Sequence, residues 1–210
     1  MPNKHSRPDP LGAVALVMLA GLLATAGCGT TDTDHTATST TTPAPLIPSG
    51  LSWRTWQGIE LPVAQQGPRV IDGAAASDFD RSPVGAALAA IHATVRMSVA
   101  PDGQWALVGQ RMLAPGPGRD KWATARAQVS ITSPAIDTVP TILGYVIANY
   151  TVTEARIDTY ATYPDHSITR NSATVVWADG WRLLLPDPVV ESPVTAVDSV
   201  PASMVPLNRA

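Results

Sequence analysis

A single cysteine, Cys28, restricts how this chain can be stabilised once it folds. One thiol cannot form an intramolecular disulfide, and it cannot build a structural zinc site that needs several thiolates. The folded part must therefore be stabilised by burial of apolar side chains. The chain has 210 residues, which is enough for one domain of ordinary size with flanking segments.

The sequence before Cys28 has the order of regions typical of a secretory signal peptide. Lys4 and Arg7 come first, and residues 11–23 then form an apolar run without a charged residue. A membrane-spanning helix needs roughly 20 apolar residues, so this run is too short for a transmembrane anchor. We therefore expect residues 1–27 to be removed as a signal peptide.

Residues 24–28, Ala-Thr-Ala-Gly-Cys, resemble the lipobox of bacterial lipoproteins, although Thr25 stands where leucine is most common. The resemblance implies that Cys28 receives a diacylglycerol and becomes the first residue of the mature protein. Two acyl chains are enough for stable anchoring, so we expect the protein to be held at the outer face of the cytoplasmic membrane. The alternative interpretation of Cys28 is a core cysteine in an ordinary N-terminal helix.

Residues 28–50 predict a disordered linker that begins at the lipidated cysteine. Thr, Ser, Asp, Ala and Pro dominate this segment, so it cannot bury enough apolar surface to fold and would act as a flexible spacer. Asp34 and His35 could be metal ligands, but on such a tether they are more simply solvated chain. We expect a single folded domain over residues 51–187 and a Pro/Val-rich, partly extended tail over residues 188–210 with little to pack against.

The charge of the chain argues against a nucleic-acid partner. The net charge is −3, and charged residues make up only 15% of the sequence. No run of Lys and Arg provides the basic patch that binding to a phosphate backbone requires. We therefore expect no direct contact with DNA or RNA.

Two helices are predicted in the first half of the domain. Ser82 and Pro83 form an N-cap followed by proline at the first helical position, and apolar spacing extends this helix to about Val99. A second helix is predicted from Arg119 to Ile131, with its apolar residues on one side.

Two other segments of this half have weaker patterns. Residues 51–70 mix apolar side chains with Gly and Pro, which predicts an irregular lead-in that packs two tryptophans on the domain. Residues 105–108 and 110–113 fit a short strand or a short helix, and the pattern does not distinguish between them.

From Thr141 onward the composition changes to β-branched and aromatic residues, which predicts a sheet. Residues 141–163 contain one long strand or two. Further strands at 167–177 and 181–185 flank Asp179-Gly180, a dipeptide typical of β-hairpin turns. Helices followed by antiparallel strands, without βαβ alternation, indicate an α+β fold.

Two stretches resemble known families. Residues 61–126, with the segments GPRV, SDFDRSPVGAALAAIH and RDKWATARA, look like an uncharacterised domain family of actinobacterial exported and membrane-anchored proteins. The second half, which ends in ADGWRLLLP, resembles the closing hairpin of the nuclear transport factor 2-like cone. That resemblance implies helices packed on a strongly curved antiparallel sheet. Enzymes, ligand binders and parts of conjugative transfer machines all use the cone, so it implies no single chemistry.

The sequence lacks the common signatures of catalysis and cofactor binding. It has no Gly-x-Ser-x-Gly elbow, Ser-x-x-Lys pair, Walker loop, dinucleotide fingerprint or His-Glu-x-x-His motif. Asp78, Asp80 and Ser82 faintly resemble a calcium loop, but helix capping explains the same residues. His92 is predicted off the apolar helix stripe, at the surface or on the flank of the helix, and His166 in an exposed turn. We expect no metal, no cofactor and no enzymatic activity.

One enzymatic hypothesis rests on Arg156, Asp158 and Tyr160, which share one face of a predicted strand. A buried carboxylate beside Arg and Tyr can act as an acid or base, as in some cone-fold enzymes. The alternative is the solvated face that an antiparallel sheet usually has. The enzymatic hypothesis requires these side chains to point into a pocket in which Asp158 is desolvated.

Three functions therefore remain open, in order of preference. The first is a non-catalytic interaction module of an envelope assembly, such as a conjugation or secretion apparatus. The second is a lipoprotein that holds a small apolar ligand on the concave face of its sheet, which needs a cavity of roughly 300 Å³ or more. The third is a small enzyme.

Overall fold

The computed structural model describes residues 46–134 and 139–208. Cys28, the predicted signal peptide 1–27 and residues 28–45 of the predicted linker lie outside this part of the chain. Lipidation and cleavage at Cys28 therefore stay predictions. The described residues contain three helices followed by a six-stranded antiparallel sheet, and these elements confirm the predicted α+β class.

Two short hairpins open the domain, where an irregular segment was predicted. Strands β1 (Ser52–Trp56) and β2 (Ile59–Val63) pair in antiparallel register, and Trp56 lies opposite Ile59. Strands β3 (Val70–Asp72) and β4 (Ala75–Ser77) form the second pair. The irregular conformation predicted for residues 51–70 was wrong because the first turn uses Gln57 and Gly58, both with positive φ, and Gln-Gly is an uncommon sequence for that geometry. The two tryptophans, Trp53 and Trp56, do pack against the core as predicted.

Helix α1 (Pro83–Val99) has the predicted boundaries. The Ser82 hydroxyl accepts a hydrogen bond from the Gly85 amide at 3.1 Å, which satisfies one of the free amides of the first turn. Gly85 is required there, since a Cβ atom at this position would lie 2.1 Å from the Asp80 carbonyl oxygen. The segment that could be a strand or a helix is helical, as α2 (Trp105–Met112).

Helix α3 (Pro117–Arg126) begins two residues earlier and ends five residues earlier than the predicted Arg119–Ile131. Its last residue explains the early end. The buried Arg126 guanidinium donates to the carbonyl oxygens of Val129 and Ala100, and it also pairs with the Asp102 carboxylate at 3.2 Å. These bonds favour the non-helical conformation of residues 127–130 over another helical turn.

The six-stranded sheet has the order β10-β5-β6-β7-β8, and β9 also pairs with β7. All its pairings are antiparallel. The strands are β5 (Thr141–Tyr150), β6 (Glu154–Thr162), β7 (Ile168–Trp177), β8 (Trp181–Leu184), β9 (Val194–Val197) and β10 (Val205–Pro206). The segment 141–163 therefore contains two strands joined by a short turn.

The predicted Asp-Gly hairpin is confirmed between β7 and β8. Asp179 and Gly180 both have positive φ, 56° and 141°, and Trp177 lies opposite Trp181. Their indole rings make an edge-to-face contact with centroids 5.3 Å apart. A cross-strand aromatic pair of this kind helps to set the register of the hairpin.

The C-terminal tail, predicted to have little to pack against, contributes two strands to the sheet. Strand β9 pairs with the first half of β7, and β8 pairs with its second half, so both lie along the same edge. Strand β10 pairs with β5, and Leu207 beside it is buried. The prediction failed because short strands bounded by prolines carry no strong local signal.

Helix α1 lies at the centre of the core. Small side chains allow it to approach the sheet closely, and Ala86, Ala87 and Ala90 are fully buried. Leu88 and Ile91 pack among the buried residues of the sheet, which include Ile157, Val175 and Leu183. One face of the sheet is therefore covered by α1, and any cavity on that face lies between helix and strands.

Candidate functional site

A cavity of about 320 Å³ lies between the C-terminal half of α1 and strands β5, β6 and β7. We call it the α1–sheet cleft. The helix contributes Thr94, Val95, Ser98 and Val99, and the sheet contributes alternate residues that point toward the helix. The remaining lining residues are Gln57, Ile59, Val139, Pro140, Ile142, Thr159, Ala161, Tyr163, Thr169, Asn171 and Val194.

A second cavity of about 280 Å³ adjoins the cleft. The two share Thr94, Ser98, Asn171 and Val194, which we call the waist. The second cavity continues along β7 past residues 172–174 toward residues 183–186. Residues 172 and 173 lie between the parts of β7 that pair with β9 and with β8, so this extension follows a gap at the sheet edge.

The lining of both cavities is apolar with interspersed hydroxyl and amide groups. None of the described residues that line either cavity is charged. Thr94 Oγ1 donates to the Ala90 carbonyl at 2.8 Å, and Ser98 Oγ donates to the Thr94 carbonyl at 2.8 Å. Their hydroxyl protons are thus used within α1, and their free lone pairs can only accept.

The sequence-predicted trio Arg156, Asp158 and Tyr160 lines neither cavity. Thr159 and Ala161 of β6 line the cleft, so the alternate residues 156, 158 and 160 lie on the other face of the sheet. Arg156 is exposed, and Asp158 is half-buried and accepts a 2.6 Å hydrogen bond from Ser172 Oγ. Neither of the two cavities therefore provides the pocket around these residues that the enzymatic hypothesis requires.

Tyr160 is the one buried member of that trio. Burial raises the pKa of its hydroxyl, and the neighbouring Asp158 carboxylate raises the pKa further, while Arg170 acts in the opposite direction. A phenol with a raised pKa stays protonated at neutral pH. The arrangement fits a solvated polar sheet face that holds one neutral tyrosine.

Comparison with known proteins assigns the chain to a family. Residues 22–204 match a family described as Domain of unknown function (DUF8175). The chain belongs to this family. The match spans the helices and the sheet up to β9, so both cavities of the DUF8175 domain lie within it. Searches of curated proteins and of solved structures found no match.

A buried polar pair lies on α1 of the DUF8175 domain, where a surface histidine was predicted. His92 is fully buried, its Nε2–H donates to the Pro62 carbonyl at 2.8 Å, and its Nδ1 accepts from Arg96 Nε at 3.3 Å. Arg96 Nη1 donates to the Ala74 carbonyl at 2.8 Å, and its guanidinium stacks over Trp56. The prediction was wrong because the β1–β2 hairpin covers the flank of α1 that the helical pattern left open.

Burial determines the protonation of this pair. Burial, with a smaller contribution from the Arg96 charge, lowers the pKa of His92 to about 3, although the hydrogen bond to Pro62 raises it. Burial also lowers the pKa of Arg96 to about 10, so this residue remains charged at neutral pH. The pair links α1 to β2 and to the segment before β4, and it lines neither cavity.

Asp78 and Asp80 do not cap α1 with their carboxylates, contrary to prediction. Both carboxylates pair with Arg69, at 3.6 Å for Asp78 and 2.6 Å for Asp80. Among the described residues, no group of His, Cys, Asp and Glu side chains is arranged to hold a metal ion. No described helix is long and apolar enough to cross a membrane.

The lining residues Thr94, Ser98 and Asn171 were missed by sequence reasoning. Thr94 and Ser98 are four residues apart on α1, next to the apolar stripe, and this spacing places both on one face. Thr169 and Asn171 alternate in β7 on the side that faces Thr159 and Ala161. The available signal was the polar pair Thr94 and Ser98 at the edge of the apolar face of α1. A solvent-exposed helix flank has the same pattern, so the pair alone did not indicate a cavity.

Proposed function

We propose that this DUF8175 domain is a non-catalytic, membrane-anchored extracytoplasmic protein that binds a small apolar ligand in the α1–sheet cleft. The observation that carries the proposal is the cleft itself. Its volume of about 320 Å³ lies within the range of ligand pockets, and its wall is apolar with a few polar groups that converge on it. A wall of hydroxyl, amide and aliphatic groups suits binding, since none of these groups supplies a strong acid or base.

The proposed location rests on the N-terminal sequence. Positive, apolar and small-residue regions precede Cys28 in signal-peptide order, and residues 24–28 resemble a lipobox. A diacylglycerol on Cys28 would hold the domain at the outer face of the cytoplasmic membrane. The domain would then lie close to a source of apolar molecules.

We also propose that the six-stranded sheet is a cone of the nuclear transport factor 2-like kind. Three long antiparallel strands and a closing hairpin, with a long helix packed on one face, support this proposal. In such an arrangement the concave face of the sheet forms the ligand cavity, which corresponds to the position of the α1–sheet cleft.

The test is a titration with the neutral fluorescent probe N-phenylnaphthylamine. Ala161 lies half-buried in the cleft wall, and Ala161→Trp adds an indole that fills the cavity. We expect saturable binding at one site in the wild-type domain and a loss of about tenfold or more in Ala161→Trp, equivalent to about 1.4 kcal/mol.

The matched control is Ala148→Trp. Ala148 is exposed on the neighbouring strand β5 and lines neither cavity, so this variant makes the same chemical change outside the cleft. We expect it to bind the probe as the wild type does. Equal binding by all three proteins, or no saturable binding by any of them, would contradict the proposed function.

A second candidate function is an interaction module of an envelope assembly, conjugative or secretory. The observation that favours it is a pair of exposed apolar side chains after β8, Val189 and Val190, which are 66% and 85% exposed. Exposed apolar groups that lie together often mark a protein contact.

The test is in-cell cross-linking from this segment, with the double variant Val189→Ser/Val190→Ser as the comparison. Defined membrane partners that disappear in the double variant would support it, and recovery of free monomer only would count against it.

A further inference from the structure

We infer that the α1–sheet cleft selects an elongated, uncharged amphiphile, a long-chain alcohol or ester whose polar group is held at Asn171. This inference rests on the proposed ligand-binding function and adds the chemical class of the ligand. Three features of the two cavities carry it: their connection, the absence of charge in their walls, and the state of the Asn171 side chain.

The connection of the cavities indicates an elongated ligand. The cleft of about 320 Å³ and the second cavity of about 280 Å³ have four lining residues in common. A polar group held at the waist leaves room for an alkyl chain in the cleft toward Ile142 or in the second cavity toward Leu185, and an ester with a chain on each side would fill both. An extended aliphatic chain fits this shape better than a compact ring system does.

The lining residues indicate that the ligand is uncharged. A carboxylate or ammonium group transferred from water into a largely apolar wall costs several kcal/mol unless an opposite charge receives it. None of the described residues that line the two cavities is Lys, Arg, His, Asp or Glu. A fatty acid anion would therefore have no cation to pair with in this wall.

The waist supplies one polar side chain with both a free donor and a free acceptor. The side-chain amide of Asn171 makes no hydrogen bond to another described residue, although Asn171 lines both cavities and is half-buried. A ligand hydroxyl or ester carbonyl placed there would satisfy it. The lone pairs of Thr94 and Ser98 can accept from the same ligand hydroxyl.

The experiment compares three ligands of equal chain length: decanol, decanoate and decylammonium. Each is used below its aggregation concentration to displace N-phenylnaphthylamine from the wild-type domain. We expect the affinity for decanol to be at least about ten times higher than for either ion, since the ions lose hydration without gaining a residue of opposite charge to pair with. Equal affinity for decanol and decanoate would overturn the inference but leave the proposed function intact. Failure of the probe itself to bind at the cleft would instead overturn the proposed function.

Substitutions at Asn171 test the role of this residue directly. We expect Asn171→Leu to weaken decanol about threefold to tenfold, as loss of one hydrogen bond does, with probe binding retained. Asn171→Lys places a cation at the waist, and we expect it to reverse the preference so that decanoate binds better than decanol. A gain of decanoate binding cannot result from misfolding.

The matched control for these variants is Asn149→Leu, which makes the same change at an exposed position of β5. It is expected to keep the wild-type order of the three ligands. An unchanged ligand order in both Asn171 variants, each with a normal thermal unfolding transition, would overturn the assignment of the polar group to Asn171.

Discussion

Individual residues of this domain show how burial changes the role of a polar side chain. His92 and Arg96 are one helical turn apart on α1, and both are almost completely buried. Each side chain donates a hydrogen bond to a backbone carbonyl of the hairpin segments: His92 to Pro62, and Arg96 to Ala74. Because burial penalises the charged form and the neighbouring guanidinium is already positive, the imidazole stays neutral beside it.

This arrangement predicts acid-sensitive folding. The pKa of His92 is about 3 in the folded protein, against an ordinary value of 6.5, so unfolding takes up a proton between these two pH values. The stabilisation is therefore complete above pH 6.5 and is lost as the pH falls toward 3. At pH 5 the loss amounts to about 2 kcal/mol in the free energy of unfolding.

Urea unfolding at a series of pH values checks this prediction. His92→Gln removes the titrating group and should flatten the decrease between pH 6.5 and pH 5. His166→Gln serves as the control, because His166 is exposed in the turn after β6 and should leave the decrease unchanged. An equally steep decrease in His92→Gln would show that another group is responsible.

At the scale of single elements, short-range chemistry sets some boundaries and long-range contacts set others. The start of α1 is set by neighbouring residues, since Ser82 and Pro83 supply the cap and the first helical residue. The position of β10 is set by a distant segment, because Leu207 donates its amide to the Leu143 carbonyl at 2.9 Å. Substitutions at either kind of position should lower the free energy of unfolding.

Removal of the α1 cap is predicted to destabilise the fold. Ser82→Ala leaves the Gly85 amide without its acceptor, and we expect a loss of about 1 kcal/mol. Chemical denaturation measures the loss. Ser133→Ala makes the same change at an exposed position and should have a negligible effect. A Ser82→Ala variant as stable as wild type would mean that the cap contributes nothing measurable.

Strand β10 is predicted to belong to the cooperative fold and not to a loose tail. Leu207 is 3% exposed, so Leu207→Ala should cost about 2–4 kcal/mol through loss of burial and the cavity left behind. Val190→Ala truncates an apolar residue of the same tail that is 85% exposed, and its effect should be within about 0.5 kcal/mol. Thermal unfolding of the two variants compares them. Similar small losses in both would contradict the assignment of β10 to the fold.

At the scale of the whole molecule, the α1–sheet cleft lies between the helix layer and the sheet layer, at the C-terminal half of α1. The alanines of α1 bring its N-terminal half close to the sheet, whereas Thr94, Val95 and Ser98 in its C-terminal half face the cavity. The same helix therefore packs the core at one end and lines the α1–sheet cleft at the other. The proposed placement of this domain at a membrane depends on a separate segment of the chain, residues 24–28.

The proposed membrane anchor gives a prediction for the full 210-residue chain. In cells supplied with an alkyne-tagged fatty acid, we expect the wild-type chain to incorporate the label and Cys28→Ser to incorporate none. Thr25→Leu introduces the more common lipobox residue and should still be labelled. Mass spectrometry of the native protein offers a second check. An unmodified Cys28 with residues 1–27 still attached would contradict the export and anchoring proposals together.

The sequence predicted elements whose signals lie within a few residues of each other. The N-cap of α1, the Asp179-Gly180 hairpin and the change to strand-forming residues at Thr141 are local, and the structure has all three. The first hairpins and β10 were missed because their pairing partners provide the stability that their own residues lack. Propensity alone cannot identify an element of that kind.

For the proposed binding site, the sequence by itself determined which residue types are present, and the tertiary structure determined how they are arranged. Composition required a core built without disulfides, and periodicity placed apolar stripes on a helix and on strands. Only the folded chain brought Thr94, Ser98 and Asn171 to one waist, buried His92 and turned Asp158 to the opposite face. The physical reason is that a cavity belongs to the space between two elements, and a pattern along one element does not contain the position of its neighbour.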